Sequence, residues 1–149
     1  MRSSTRKALA YSAGLAMMTV GLAFGTTTTA SAASGCSGSL VGTYKLKQTN
    51  GTVMSTARVY YSTANGGTNC ATNTAGLYYG KVTQLSVAIE RGNLTGRQSD
   101  LGDYKYYAGP VRVTGTNGKC INIYVGATNG PSAGQTLVWQ EAWHNIHCG

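Results

Sequence analysis

The sequence predicts an all-β domain, a small antiparallel β-sandwich or barrel stabilised by disulfides. Three observations carry that prediction. Beyond residue 32, apolar and polar side chains alternate in several short runs, which is the period of a half-buried strand. Turn signals such as Ala64-Asn65-Gly66-Gly67 and Thr116-Asn117-Gly118-Lys119 separate the runs. All four cysteines, Cys36, Cys70, Cys120 and Cys148, lie in this same part of the chain.

Ahead of that domain stands a leader. Arg2, Arg6 and Lys7 form a basic start, an apolar run extends from Ala8 to Phe24, and Ala30-Ser31-Ala32 follows four threonines. Small residues in that spacing are what signal peptidase requires, so 1–32 reads as a signal peptide cut between Ala32 and Ala33. A membrane anchor would need about 20 consecutive apolar residues, whereas Gly14, Thr19 and Gly21 interrupt this run. No stable membrane insertion is expected after cleavage. Residues 33–149 then form a single secreted β domain of 117 residues, enough for one core.

The strands follow in order. Leu40 to Lys47 is the first. In Thr52 to Tyr61, Ala57, Val59 and Tyr61 alternate with Arg58 and Tyr60. A short strand around Cys70 completes a hairpin. Between Lys81 and Glu90, Leu85, Val87 and Ile89 take one face and Gln84, Ser86 and Ala88 the other. Arg91 to about Gly102 reads as a polar loop, and Tyr104 to Tyr107 as an extended aromatic segment. Pro110 opens a strand with Val111 and Val113 inward, because proline at a strand start costs no ladder donor. Thr116 to Lys119 reads as a hairpin turn into Ile121, Ile123 and Val125. A loop from Thr128 to Gly134 leads to a last strand, Gln135 to Trp143.

An even cysteine count in an exported chain implies two disulfides. Three connectivities are open. Cys36–Cys70 with Cys120–Cys148 is favoured, since each closes a moderate loop and ties one terminus to neighbouring strands. No C-x-x-C pair is present, and His144 with His147-Cys148 is the one His/Cys cluster. No metal or other cofactor is expected.

The mature part carries nine basic and four acidic residues, a net +5. The basic residues are scattered singly, unlike the stripe or patch of a nucleic-acid binder, so no nucleic acid is expected as partner. Their field would favour an anionic wall polymer or a membrane surface.

The acids are Glu90, Asp100, Asp103 and Glu141. Glycosidase chemistry needs two carboxylates flanking one bond, and these four make no evident pair. Asp100 and Asp103 are expected to cap turns in the polar loop. Glu141 shares a face with Trp139 and Trp143 if the last strand is regular. The histidines lack a nucleophile motif and, beside a disulfide at the terminus, are expected to face solvent. No catalytic residue is assigned.

Binding has more support. Nine tyrosines follow the leader, whereas the one phenylalanine, Phe24, lies within it. Alternation must send some tyrosines outward, where their flat faces suit sugar rings or protein partners. Tyr104, Tyr106, Tyr107 and Tyr124 are the candidate contact residues. The competing expectation is that tyrosines fill the interior in place of phenylalanine.

Several segments carry a resemblance. Ser99-Asp100-Leu101-Gly102-Asp103-Tyr104, Tyr107-Ala108-Gly109-Pro110-Val111, Gly118-Lys119-Cys120 and the terminal His147-Cys148-Gly149 resemble the actinobacterial spore-associated protein A family. Upstream, Val59-Tyr60-Tyr61 and Thr68-Asn69-Cys70 fit as well. The resemblance implies a small secreted protein of the spore surface or cell envelope, structural or binding in role, with a wall or spore-surface polymer as partner. It carries no catalytic residues over. Asn122 and Tyr124 stand where family members often have Trp or an acidic residue. The stretch Gly118 to Asn122 with Trp139 also looks like one repeat of a ricin-type trefoil lectin, a fold that requires three repeats of about 40 residues. Other functional expectations are a carbohydrate-binding module or carbohydrate-active enzyme, or a secreted inhibitor or antimicrobial toxin using an exposed loop from Gly92 to Gly102.

Overall fold

The structure, a computed structural model, describes residues 35–132 and 138–149. The leader and its cleavage point lie outside the described residues, as does the start of the last strand at Gln135.

Eight strands form two antiparallel sheets packed as a sandwich: β1 (Ser39–Lys47), β2 (Val53–Ser62), β3 (Thr68–Ala75), β4 (Thr83–Arg91), β5 (Gln98–Tyr104), β6 (Tyr107–Thr114), β7 (Ile121–Thr128) and β8 (Val138–Ile146). The first sheet has the order β1-β2-β3-β6 and the second β5-β4-β7-β8. The sandwich alternative is therefore the one adopted, and a three-fold trefoil is not.

The core is aliphatic. Leu46, Ala57, Val59, Ala71, Val111 and Val113 from the first sheet meet Leu85, Val87, Ile89, Ile121, Ile123 and Val125 from the second. Small and β-branched residues suit two facing pleated surfaces about 10 Å apart. Tyrosines do not fill this core. Tyr44, Tyr78 and Tyr104 lie partly buried against its margin, together with Trp143. Polar side chains are buried as well, Ser55, Asn69 and Asn73 among them. Asn73 donates from Nδ2 to the Ser86 carbonyl (2.9 Å) and the Gly126 carbonyl (3.1 Å) of the facing sheet.

Three sequence expectations change. The polar stretch after Arg91 is a loop only to Arg97, because β5 begins at Gln98 and pairs with β4 from Ile89↔Gln98 to Thr83↔Tyr104. As an edge strand with both faces partly in water, β5 needs no apolar alternation. The loop from Gly92 to Gly102 is shortened accordingly. Thr116 to Lys119 does not close a hairpin, since β6 and β7 belong to different sheets. Pro110 lies within β6, beside an irregularity in the register between Ala71 and Asn73. Since β6 is an edge, the missing N–H removes no ladder bond on its open side.

Both disulfides are present, Cys36–Cys70 and Cys120–Cys148, the favoured pairing. Two cystines belong to an oxidising environment of the kind found outside the cell. The first fastens the segment ahead of β1 onto β3, and the second fastens the C-terminus to the start of β7.

Candidate binding face on the second sheet

With Leu85, Val87 and Ile89 committed to the core, Ser86, Ala88 and Glu90 of β4 must face outward. The register sets Glu90 opposite Asn122, Ala88 opposite Tyr124 and Ser86 opposite Gly126 on β7. On the other side Ser99 and Leu101 of β5 face Ala88 and Ser86. Gln140 and Ala142 of β8 complete the rows beside Gly126 and Tyr124. The middle of this face is thus built from Ser, Ala and Gly. Taller neighbours turn it into a groove of about 430 Å³ running beside Arg97, Leu101, Tyr124 and Gln140.

Glu90 organises one end of the groove. Although on the outer face, it is only 4% exposed. Its Oε1 accepts from the Tyr124 hydroxyl (2.7 Å) and from Asn122 Nδ2 (3.3 Å), and its Oε2 from Arg97 (3.4 Å). Burial pushes the Glu90 carboxyl up, but the bonds from Tyr124, Asn122 and Arg97, with the guanidinium charge, outweigh it and hold the group below its ordinary value. The same bond pushes the Tyr124 hydroxyl up, with burial adding to it. Arg97 lies over the Tyr124 ring, 4.3 Å from its centroid, and His144 meets that ring edge-on at 5.4 Å. Asn122 in turn accepts the Asn145 N–H at 2.9 Å. Tyr124 is therefore held at its hydroxyl, its face and its edge, and it walls the groove in one orientation.

The other carboxylates have different tasks. Asp100 does not cap a turn. Its Oδ1 accepts from the Tyr104 hydroxyl (2.5 Å) and its Oδ2 from the Gly109 N–H (2.6 Å), joining β5 to β6 across the two sheets. That bond, with burial, pushes the Tyr104 hydroxyl up to about 12. Asp103 accepts from the Ser132 N–H and hydroxyl at 2.8 and 2.9 Å, holding the connection after β7. Glu141 is exposed at the β8 margin, where a second, open groove of about 570 Å³ passes Tyr44, Lys45, Lys47 and Trp143. The Tyr44 and Trp143 rings pack there at a tilt of 48°, with centroids 5.0 Å apart.

The four candidate tyrosines are not one surface. Tyr104 is a half-buried structural residue. Tyr106 is exposed at the β5–β6 turn, with its ring 5.2 Å from that of Tyr79. Tyr107 is exposed on the outer face of the first sheet, opposite Thr74. Tyr124 alone belongs to the groove. His147 departs from the expectation of a solvent-facing histidine: it lies half-buried, 2.8 Å from the Tyr44 hydroxyl, and burial pushes its imidazole down.

Sequence reasoning missed Glu90, Arg97 and Asn122 as a unit. Alternation places Glu90 on the polar face of β4, which was legible. That β7 would bring Asn122 and Tyr124 alongside it was not, because 34 positions separate Glu90 from Tyr124 and the pairing is set by the sheet.

Fold and site together define a disulfide-bonded extracellular-type β-sandwich with a groove of mixed polar and apolar lining on one sheet. The chain matches no protein-family model, no curated protein and no solved structure.

Proposed function

We propose that this chain is an exported binding protein of the cell envelope or spore surface, without catalytic activity, that holds an extended polyhydroxylated polymer along the groove of the second sheet. The observation that carries this reading is Tyr124, locked by Glu90, Arg97 and His144 at one end of a groove floored by Ser86 and Ala88. A fixed aromatic ring offers contact area with little entropy to lose. The Ser99 hydroxyl, the Gln140 amide and the Arg97 guanidinium supply donors suited to sugar hydroxyls. Two carboxylates line the groove, Asp100 and Glu141. Both oxygens of Asp100 are already bonded, and Glu90, behind Tyr124, is saturated with donors, so Glu141 has no free carboxylate partner across the groove, as hydrolysis would need. The leader and the two cystines support export, and the resemblance to the spore-associated family supports the envelope as destination.

Retention of residues 33–149 on insoluble peptidoglycan, chitin and spore coats tests this. Wild type is expected to be held on at least one of them. Gln140→Ala, an exposed change, and Tyr124→Ala should each weaken retention about tenfold, with Tyr124→Phe close to wild type if the ring is what matters. No retention on any of the three polymers would end the proposal.

A further inference from the structure

One end of the sandwich presents a second surface, unrelated to the groove. The β3–β4 connection and the β5–β6 turn lie side by side there. The Gly80 N–H donates to the Lys105 carbonyl (2.8 Å), and the Ala75 N–H to the Tyr106 carbonyl (2.8 Å). Within the first connection the Tyr79 N–H bonds the Gly76 carbonyl (3.0 Å) and the Lys81 N–H the Tyr78 carbonyl (2.9 Å). Leu77 is pinned to the start of β2 through the Val53 carbonyl at 3.1 Å. On this braced backbone stand Leu77, Tyr79, Val82 and Tyr106, exposed by 53, 61, 42 and 51%. Lys81 and Lys105 are exposed on the same two connections, and Lys47, also exposed, ends β1 opposite Val53. The neighbouring acid, Asp103, is turned onto Ser132.

Large apolar side chains grouped in water mark an interaction surface. The composition here selects its partner. Leu77 and Val82 gain from hydrocarbon, tyrosine settles at the level of lipid headgroups, and the lysines gain from a negative surface. A soluble polyanion would satisfy the lysines and leave Leu77 and Val82 in water. We infer that this end docks peripherally on a bilayer of anionic phospholipid, with Leu77, Tyr79 and Tyr106 entering the interface and Lys81 and Lys105 meeting phosphate. This is surface attachment by loops; among the described residues no helix is long and apolar enough to cross a membrane.

The test is flotation of residues 33–149, which contain all eight strands, with vesicles of phosphatidylcholine alone and of phosphatidylcholine with 30% phosphatidylglycerol. The mixed vesicles are expected to carry the protein about 25-fold better or more, with the difference falling as salt rises. The double variant L77S/Y79S should lose about tenfold. K81Q/K105Q should lose about 25-fold on the mixed vesicles, roughly fivefold for each lysine, and keep its weak partition onto neutral ones. Because these side chains are exposed, unchanged denaturation midpoints check that the variants fold. Y124A should float like wild type, which separates this surface from the groove. Failure to float with the mixed vesicles overturns the inference. So does flotation that L77S/Y79S leaves intact, or capture by soluble polyphosphate as strong as capture by the bilayer.

Discussion

Glu90 carries its charge where burial by itself would favour the neutral acid. Three donors reverse that balance, and the consequence is a pH dependence of definite sign. A carboxyl held below its unfolded value contributes stability that is present above that value and is lost as pH falls through the lower folded one. Acid should therefore weaken the sandwich below pH 4.5, the ordinary glutamate value. Glu90→Gln keeps the shape, loses the charge-assisted bond from Tyr124, and should cost about 1–2 kcal/mol at neutral pH. Arg97 is 50% exposed at its side chain, so its ion pair adds little to that figure. Urea melts from pH 7 to pH 3 should show the wild-type and Glu90→Gln curves converging in acid. A constant gap would mean that the carboxylate is not ionised by these donors. Continuing the alternation of Ser86 and Ala88 puts Glu90 on the outer face, but nothing near it in the chain announced that Tyr124 would cover it.

The strands divide into those whose chemistry is local and those whose role comes from their place in the sandwich. β4 and β7 show their inner faces plainly as Leu85, Val87, Ile89 and Ile121, Ile123, Val125. β5 does not, because an edge strand lying partly in water can be written in polar residues. Asn73 illustrates the second kind. From sequence it is one more polar residue in a Thr- and Asn-rich segment, yet β3 turns it inward to bond two carbonyls of the other sheet. Asn73→Ala removes both bonds and leaves a small void, and should cost about 2–3 kcal/mol, read as a lower urea midpoint with an unchanged slope. A cost near zero would show that the cross-sheet bonds contribute nothing net. Gly109 is likewise positional. Its φ of +93° and the Ala71 carbonyl, 2.8 Å from where a Cβ would stand, leave room for glycine alone where β6 bends around Pro110.

At the scale of the molecule, a modest aliphatic core is closed by two covalent ties. The cystines span 34 and 28 positions, and loops of that length correspond to about 3–4 kcal/mol each in the chain-entropy account. The pairs C36S/C70S and C120S/C148S should each lower stability by about that amount, and full reduction should bring the domain close to unfolding at 37 °C. Denaturation with and without reductant measures both. If the reduced protein keeps the oxidised midpoint, the core is self-sufficient and the cystines are incidental. The aromatic residues serve at the boundaries of this body. Tyr44 and Trp143 close the β1–β8 margin, Tyr104 closes the β5–β6 side, and Tyr79 with Tyr106 stand free at one end.

The sequence by itself determined the fold class, the core faces of the central strands and the turn at Asn65-Gly66, and only favoured one of three cystine pairings. These rest on periodicity and turn chemistry, which act between neighbours in the chain. Only the tertiary structure decided which tyrosines are structural, where the sheets exchange strands, and that Glu90, Arg97, Asn122 and Tyr124 form one cluster. Those facts depend on strand order and register across the sheet, and residues far apart in the chain acquire a common environment only when the two sheets close on each other.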